Sequence, residues 1–225
     1  MKIKKIISIT LLSIFTLAVL FAGDVANLVS LGFSNDGMTY AFGEYGMQDK
    51  TYRSYANIFV VDVAKNEYIK NGVFRTSPST LTANKESKSV FLALQNRAEY
   101  TLSKNKISSK NDGRPIYAQS EKTKNHTNLY FRDFQTNYEY NVVLNKSKKG
   151  MDTAFYISFD VTLPDGSKKS YTVGAKNYFR SGVKDVNIKR VLINNQNTGL
   201  VFVIEKTEQD SSGDCIRYMI ETVKL

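Results

Sequence analysis

The sequence of residues 27–74 is NLVSLGFSNDGMTYAFGEYGMQDKTYRSYANIFVVDVAKNEYIKNGVF. It contains two successive strand-turn-strand patterns. Apolar residues 29–33 lead through Asn35-Asp36-Gly37 to residues 38–42, and residues 56–63 lead through a short turn to residues 67–69. Asp-Gly between apolar runs favours a hairpin, because glycine readily adopts the positive φ of a tight turn. The stretch therefore predicts a four-stranded antiparallel meander, about the size of one propeller blade.

One helix is expected, over residues 85–106. Phe91, Leu94, Ala98 and Leu102 recur three to four residues apart, which places them on a single apolar stripe. Such a stripe has to cover an apolar surface, and the simplest candidate is one face or one end of a β layer.

Strand patterns return in the second half of the chain. Pro164-Asp165-Gly166 joins two of these strands and predicts a tight hairpin. Two later stretches, residues 145–150 and 206–214, are polar and are expected to be a turn and a loop. The expected strands cover residues 129–134, 138–144, 154–163, 167–174, 188–193, 200–205 and 215–225.

The predicted fold class is mainly β with one helix, in which antiparallel meanders form propeller-blade-like or sandwich-like layers. Residues 23–107 would form the N-terminal meander and helix. Residues 108–128 are polar and read as an exposed loop or linker, and residues 129–225 would form hairpins that pack on the N-terminal part. Residues 193–202 loosely repeat residues 33–42, with an Asn-rich turn in each.

The first 22 residues have the pattern of a secretory signal peptide. Lys2, Lys4 and Lys5 precede an uncharged apolar run over residues 6–21, and small residues at Ala22 and Gly23 mark the expected cleavage bond. The alternative is an uncleaved anchor, but the run is shorter than the roughly 20 residues that comfortably span a bilayer. The sequence therefore predicts an exported protein, located in the periplasm or outside the cell.

The formal net charge is +10. Scattered lysines favour a solvated surface over one basic patch. A basic surface contact is nevertheless possible at two predicted turns, which carry Lys146, Lys148, Lys149, Lys168 and Lys169. If these lysines act together, they would allow at most a peripheral contact with a membrane.

The sequence lacks a recognisable catalytic set. The only histidine, His126, lies in a polar stretch, and the only cysteine, Cys215, lies near the start of an apolar strand. A hydrolytic triad needs a nucleophile, a base and an orienting acid, and a zinc site needs several His or Cys ligands. A single cysteine also excludes an intramolecular disulfide. We therefore expect no cofactor, no metal and no catalytic residue.

Paired carboxylates could still serve a glycoside hydrolase. Several acidic residues lie in or beside predicted strands, but no spacing singles out two of them: Glu44, Asp62, Glu67, Asp160 and Asp165. Aromatic and basic residues alternate at 130–134 and 178–180. This pattern is more typical of cross-strand packing than of nucleic-acid binding, and no nucleic-acid partner is expected.

Two resemblances follow from local motifs. Phe33-Ser34-Asn35-Asp36-Gly37 with the later strand 58–63 resembles the blade repeat of TolB-type propellers, although Asn35 stands where proline is usual. More widely, the chain resembles a domain-of-unknown-function family of predicted secreted bacterial proteins of the kind found in spirochaetes. The motifs that carry this likeness are residues 23–27, 31–34, 42–46, 61–63, 174–180 and 216–219. The resemblance implies export and a shared fold, and it brings no functional residues.

The functional hypothesis is a non-catalytic cell-envelope protein that binds an envelope protein or polysaccharide. Two alternatives stay open. One is a carboxylate-based hydrolase of envelope glycans, and the other is a basic surface adhesin that uses the lysines of the two predicted turns.

Overall fold

The computed structural model describes residues 22–225 apart from residues 124, 211 and 212. The predicted signal peptide, residues 1–22, lies almost wholly outside this part of the chain. Two short 3₁₀ helices occur at Thr80–Thr82 and Glu121–Thr123, and one α-helix, α1, spans Ser87–Lys104. The strands are β1 (Ala22–Val25), β2 (Asn27–Phe33), β3 (Thr39–Met47), β4 (Ser54–Asp62), β5 (Glu67–Thr76), β6 (Arg114–Ala118), β7 (Asn128–Arg132), β8 (Glu139–Lys149), β9 (Asp152–Thr162), β10 (Lys168–Arg180), β11 (Val183–Ile193), β12 (Gly199–Asp210) and β13 (Gly213–Lys224).

These strands form three sheets, which pack in layers. The central sheet has the order β1-β13-β12-β11-β6, and two meanders, β2-β3-β4-β5 and β10-β9-β8-β7, flank it. One apolar cluster joins the β7–β10 meander to the central sheet, and a second joins the central sheet to the β2–β5 meander. A third cluster lies between the β2–β5 meander and α1. The mainly β fold with one helix is confirmed, and its layers are sandwich-like.

Strand β12 explains why the central sheet lies between two others. Its apolar run alternates between the two cores: Leu200, Phe202 and Ile204 join one cluster, and Val201 and Val203 join the other. All five side chains are at most 2 % exposed. A strand without a polar face has to be covered on both sides, and this run is therefore the centre of the fold.

The meander predicted from residues 27–74 is confirmed as β2–β5. The helix predicted over residues 85–106 is also confirmed, and the four stripe residues named above are buried with Val90. The helix packs so closely on the sheet that a Cβ atom at Gly43 would lie 2.4 Å from the Phe91 ring. A glycine in the middle of β3 is therefore required by close packing.

The two Asn-rich turns that resemble each other in sequence contact each other in the structure. The Asn194 side-chain amide donates to the carbonyl oxygen of Gly37 at 3.1 Å, and the Gln196 amide donates to the carbonyl oxygen of Asn35 at 2.9 Å. The β2–β3 hairpin is thus fixed to the β11–β12 hairpin, which ties the N-terminal meander to the central sheet.

Three stretches expected to be irregular contain strand residues. Residues 108–128, predicted as a loop or linker, contain β6, which pairs with β11 at the edge of the central sheet. The predicted turn at 145–150 and loop at 206–214 mostly continue β8, β12 and β13. Polar composition was misleading because long hairpin strands extend beyond the apolar core, where their side chains meet water.

The first described residues are part of the core sheet. Strand β1 pairs in parallel with β13, and Asp24 forms an ion pair with Arg217 at 3.0 Å between Oδ1 and Nη2. Both side chains are largely buried, at 4 % and 12 % exposure, and the guanidinium lies 4.3 Å from the centroid of the Tyr55 ring. The predicted cleavage bond, between Ala22 and Gly23, therefore lies at the start of a structural strand.

We predict that Asp24→Asn lowers the free energy of unfolding by about 3 kcal/mol, because it leaves the Arg217 charge buried without a carboxylate partner. Urea unfolding at neutral pH measures the change. The control is Lys184→Gln, which removes the exposed ion pair of Lys184 with Asp214 and should cost less than about 1 kcal/mol. Equal losses in the two variants would contradict this role for Asp24.

Candidate binding cleft

A concave site of the described structure is a cleft of about 970 Å³. Each of the three sheets contributes a strand to it. These are the outer strands β5 and β10 of the two meanders, and β13 of the central sheet. Strands β3, β4 and β12 also contribute lining residues. We call this site the three-sheet cleft.

The floor of the three-sheet cleft is the outer edge of β13, which protein side chains cover. Strand β1 pairs with β13 only near Asp214 and Ile216. Farther along, the Tyr218 N–H donates to Glu44 Oε2 at 2.7 Å, and the Thr222 N–H donates to Asn66 Oδ1 at 2.7 Å. Both acceptors come from the N-terminal meander. Unpaired edge amides would otherwise offer a template for another strand.

Glu44 is a buried acid with two hydrogen-bond donors. Besides the Tyr218 amide, the Asn57 side-chain amide donates to Glu44 Oε1 at 3.0 Å. Burial raises the pKa of Glu44, and the donors together with the charges of Lys206 and Arg217 oppose this rise. The carboxyl group thus joins β3 to β13.

Glu221 is the second buried acid of the cleft, and it links all three sheets. Arg180 of β10 donates from Nη2 to Glu221 Oε1 at 3.2 Å, and Asn66 donates from Nδ2 to Oε2 at 2.5 Å. Burial raises the pKa of Glu221 and lowers that of Arg180, while the mutual attraction of the pair opposes both shifts. Like Glu44, Glu221 has a protein partner on each carboxyl oxygen.

The two walls of the cleft contain the same irregularity. In β5, residues 68–73 run beside only residues 59–61 of β4. In β10, residues 175–180 run beside only residues 153–155 of β9. Each edge strand therefore bulges out of its ladder, and such bulges commonly redirect side chains next to binding sites.

These bulged strands present two tyrosines and two arginines. Tyr68 is 49 % exposed and Tyr178 is 63 % exposed. On one wall, the Arg75 guanidinium lies 5.8 Å from the Phe59 centroid, and on the other the Arg180 guanidinium lies 4.2 Å from the Phe155 centroid.

The two arginines occupy equivalent positions. Arg75 pairs with Asn57 and Arg180 pairs with Thr153, and in each case the phenylalanine lies two residues farther along the neighbouring strand. The walls are thus locally alike although they belong to different sheets.

The five predicted contact lysines do not form one surface. Lys149 pairs with Asp152 and Lys168 pairs with Thr162, at opposite ends of β9. Ten residues of strand separate these positions, or about 33 Å at about 3.3 Å per residue. Lys146 forms an ion pair with Asp185 at 2.9 Å, whereas Lys148 and Lys169 are exposed on the same sheet.

Two of the five predicted acidic residues, Glu44 and Glu67, line the three-sheet cleft. Asp62 begins a turn and accepts the N–H groups of Ala64 and Lys65. Asp165 accepts the Ser167 N–H in the predicted hairpin.

Three other residues considered in the sequence lie apart from the cleft lining. Asp160 accepts the Ser170 hydroxyl at 2.6 Å on the second meander. His126 is exposed. Cys215 is buried. In the described residues, no group of three or more His, Cys, Asp or Glu side chains is arranged to hold a metal ion.

The sequence analysis missed two features of the cleft. One is Glu221, the second buried acid, and the other is the pair of bulged walls. A signal for the walls was present. Lys70-Asn71 precedes Phe74-Arg75, and Lys176-Asn177 precedes Phe179-Arg180. This repeat marks the equivalent arginines. Glu221 had no comparable signal, because only the fold brings it to Asn66 and Arg180.

Comparison with known families identifies the class. Residues 41–224 match the model of a family described as "Predicted secreted protein (DUF2259)", and the chain belongs to this family. No match was found among curated proteins or among solved structures. Across the described residues, no helix combines the length and apolar character needed to cross a membrane.

We predict that the free energy of unfolding falls as the pH rises above 4.5. Glu44 and Glu221 have raised pKa values in the folded state, so the folded protein binds more protons than the unfolded chain above that pH. The loss is at most about 1.4 kcal/mol per pH unit for each group. Lowered pKa values, as at Asp36 and Asp133, act below about pH 3.8 and outside this window.

Urea unfolding of the wild-type protein and of Glu221→Gln between pH 4.5 and 7 tests this expectation. The variant should show a flatter pH dependence. Glu67→Gln removes an exposed carboxylate from the same cleft and should keep the wild-type slope. A wild-type stability that rises over this interval would contradict the raised pKa values.

Proposed function

We propose that this secreted-family protein is a non-catalytic binding protein of the cell envelope, and that it holds a protein or polysaccharide partner in the three-sheet cleft. The observation that carries the proposal is that Glu44 and Glu221 are buried and hydrogen-bonded, while other side chains of the cleft are exposed. The buried acids accept hydrogen bonds from protein donors, whereas two tyrosine rings and Arg75 in the cleft lining are exposed.

The hydrogen bonds of Glu44 and Glu221 argue against a catalytic role. A general acid or a nucleophile has to offer a carboxyl oxygen to the substrate. Each oxygen of both carboxyl groups already accepts a hydrogen bond from a neighbouring strand or turn. Loss of the Glu44 contact would leave the Tyr218 amide of β13 without its acceptor. Loss of the Glu221 contact would remove a link between β13 and β10. These acids are therefore best explained as parts of the scaffold that fixes the cleft.

One observation favours the alternative of a glycan hydrolase. Two carboxyl groups with raised pKa values line a single cleft, and an acid with a raised pKa can donate a proton near neutral pH. In such an enzyme, replacement of one glutamate would abolish turnover and leave binding nearly unchanged.

The exposed Tyr178 ring provides the test of the binding function. We expect Tyr178→Ala to reduce the affinity of the purified protein for isolated cell envelopes about fivefold to tenfold, because an aromatic contact is lost. Co-sedimentation over a range of protein concentrations measures this affinity. Tyr100→Ala removes a tyrosine that is 77 % exposed on α1, and this control should bind as the wild type does.

Two further arms separate the partner classes and the alternative function. Protease treatment of the envelopes should abolish binding if the partner is a protein and preserve it if the partner is a polysaccharide. Release of reducing sugar ends by the wild type, absent in Glu221→Gln, would replace the binding proposal with the hydrolase. Equal binding by Tyr178→Ala and the wild type would remove the three-sheet cleft as the binding site.

A further inference from the structure

The basic side chains of the three-sheet cleft differ in whether they have acidic partners. Three of its four basic side chains have acidic partners: Arg180 pairs with Glu221, Lys206 with Glu208, and Arg217 with Asp24. Arg75 is exposed, and no carboxylate of the described residues lies within ion-pair distance of it. Its guanidinium lies 5.8 Å from the centroid of the Phe59 ring. The cleft therefore presents one positioned cation to a ligand.

The exposed acid of the cleft, Glu67, is too far away to neutralise Arg75. Glu67 pairs with Asp62 and Arg75 pairs with Asn57, at opposite ends of the β4–β5 ladder. Five residues of β4 separate these positions, or about 16 Å at about 3.3 Å per residue. This distance exceeds the screening length of about 8 Å at physiological salt. Glu44 is nearer, since Glu44 and Arg75 both pair with Asn57 of β4, but its carboxyl oxygens already accept hydrogen bonds from protein donors.

The backbone of the cleft does not favour a peptide partner. A peptide that joins a sheet needs a run of free edge amides and carbonyls. Glu44 and Asn66 occupy the edge of β13, and the bulges interrupt the ladders of β5 and β10. Recognition consequently has to use side chains. The available side chains are the Tyr68 and Tyr178 rings, the Arg75 guanidinium and nearby hydroxyl groups.

We propose that the three-sheet cleft binds a carboxylate-bearing oligosaccharide, whose sugar rings lie against Tyr68 and Tyr178 and whose carboxylate is held by Arg75. This inference rests on the proposed binding function and specifies its ligand class. Sugar rings have apolar faces that stack on aromatic side chains, and a planar guanidinium donates two parallel hydrogen bonds to a carboxylate. Tyr68 and Arg75 lie near the same aromatic ring, since the Tyr68 ring stacks on Phe59 at 5.4 Å between centroids and the Arg75 guanidinium lies 5.8 Å from the Phe59 centroid.

The experiment compares uronic-acid oligosaccharides with the same oligosaccharides after their carboxylates are reduced to alcohols. Each reduced sugar keeps the rings and linkages of its acidic counterpart and loses only the charge. Isothermal titration with the full exported chain should show that the acidic forms bind about tenfold more tightly. This preference should weaken as salt is raised, because screening reduces the attraction to Arg75.

Three variants test whether Arg75 causes the preference for acidic over reduced sugars. Arg75→Gln should bind both forms of each sugar equally, at the affinity that the wild type shows for the reduced form. Arg75→Lys should keep only part of the preference, since an ammonium group lacks the planar fork. Arg97→Gln removes an exposed arginine of α1 and should behave as the wild type does.

Several outcomes would overturn the inference. One is equal binding of acidic and reduced sugars by the wild type, and if Tyr178→Ala then weakens both, the proposed binding function survives while the acidic ligand class fails. A preference that persists in Arg75→Gln would remove this arginine from the site. Failure of every uronic-acid oligosaccharide to bind, or tighter binding of a polyglutamate peptide, would exclude the sugar class.

Discussion

The structure depends on the burial of one sheet on both of its faces. Residues 200–204 of β12 send successive side chains into two different cores, and none of the five exceeds 2 % exposure. A two-sided apolar strand can be stable only between two other layers. The two meanders supply these layers, and α1 covers the outer face of one of them. The order of layers thus follows from the need to bury both apolar faces of β12 away from water.

Stacking three sheets also creates the cleft. Strands β5, β10 and β13 come from different sheets, line the same cleft and do not pair with one another. Side chains therefore accept hydrogen bonds from backbone N–H groups that would otherwise pair with a neighbouring strand. Glu44 accepts the Tyr218 amide and Asn66 accepts the Thr222 amide, and Glu221 joins Asn66 to Arg180. The same contacts that close the sheet edge hold the shape of the cleft.

The polar groups buried in this way are costly unless every partner stays in place. Each oxygen of both carboxyl groups accepts a hydrogen bond from the protein, whereas Tyr68, Tyr178 and Arg75 on the bulged strands are exposed. A hydrogen-bonded floor with exposed aromatic and cationic groups suits recognition of a ligand by its shape and charge. The bulges also protect the edge strands from pairing with other chains, which matters for a β-rich protein.

The sequence alone determined the local elements whose signals are short-range. Alternation and Asp-Gly turns located the β2–β5 meander and the β9–β10 hairpin, and an apolar stripe located α1. Composition alone could not locate β6 or the polar ends of β8 and β12, because those strands are held by neighbours distant in the chain. Only the tertiary structure decided that Glu44 and Glu221 share a cleft, that Arg75 has no acidic partner among the described residues, and that the five contact lysines are spread along a sheet. These facts concern distances between residues up to 177 positions apart, and no local pattern of side chains encodes such distances.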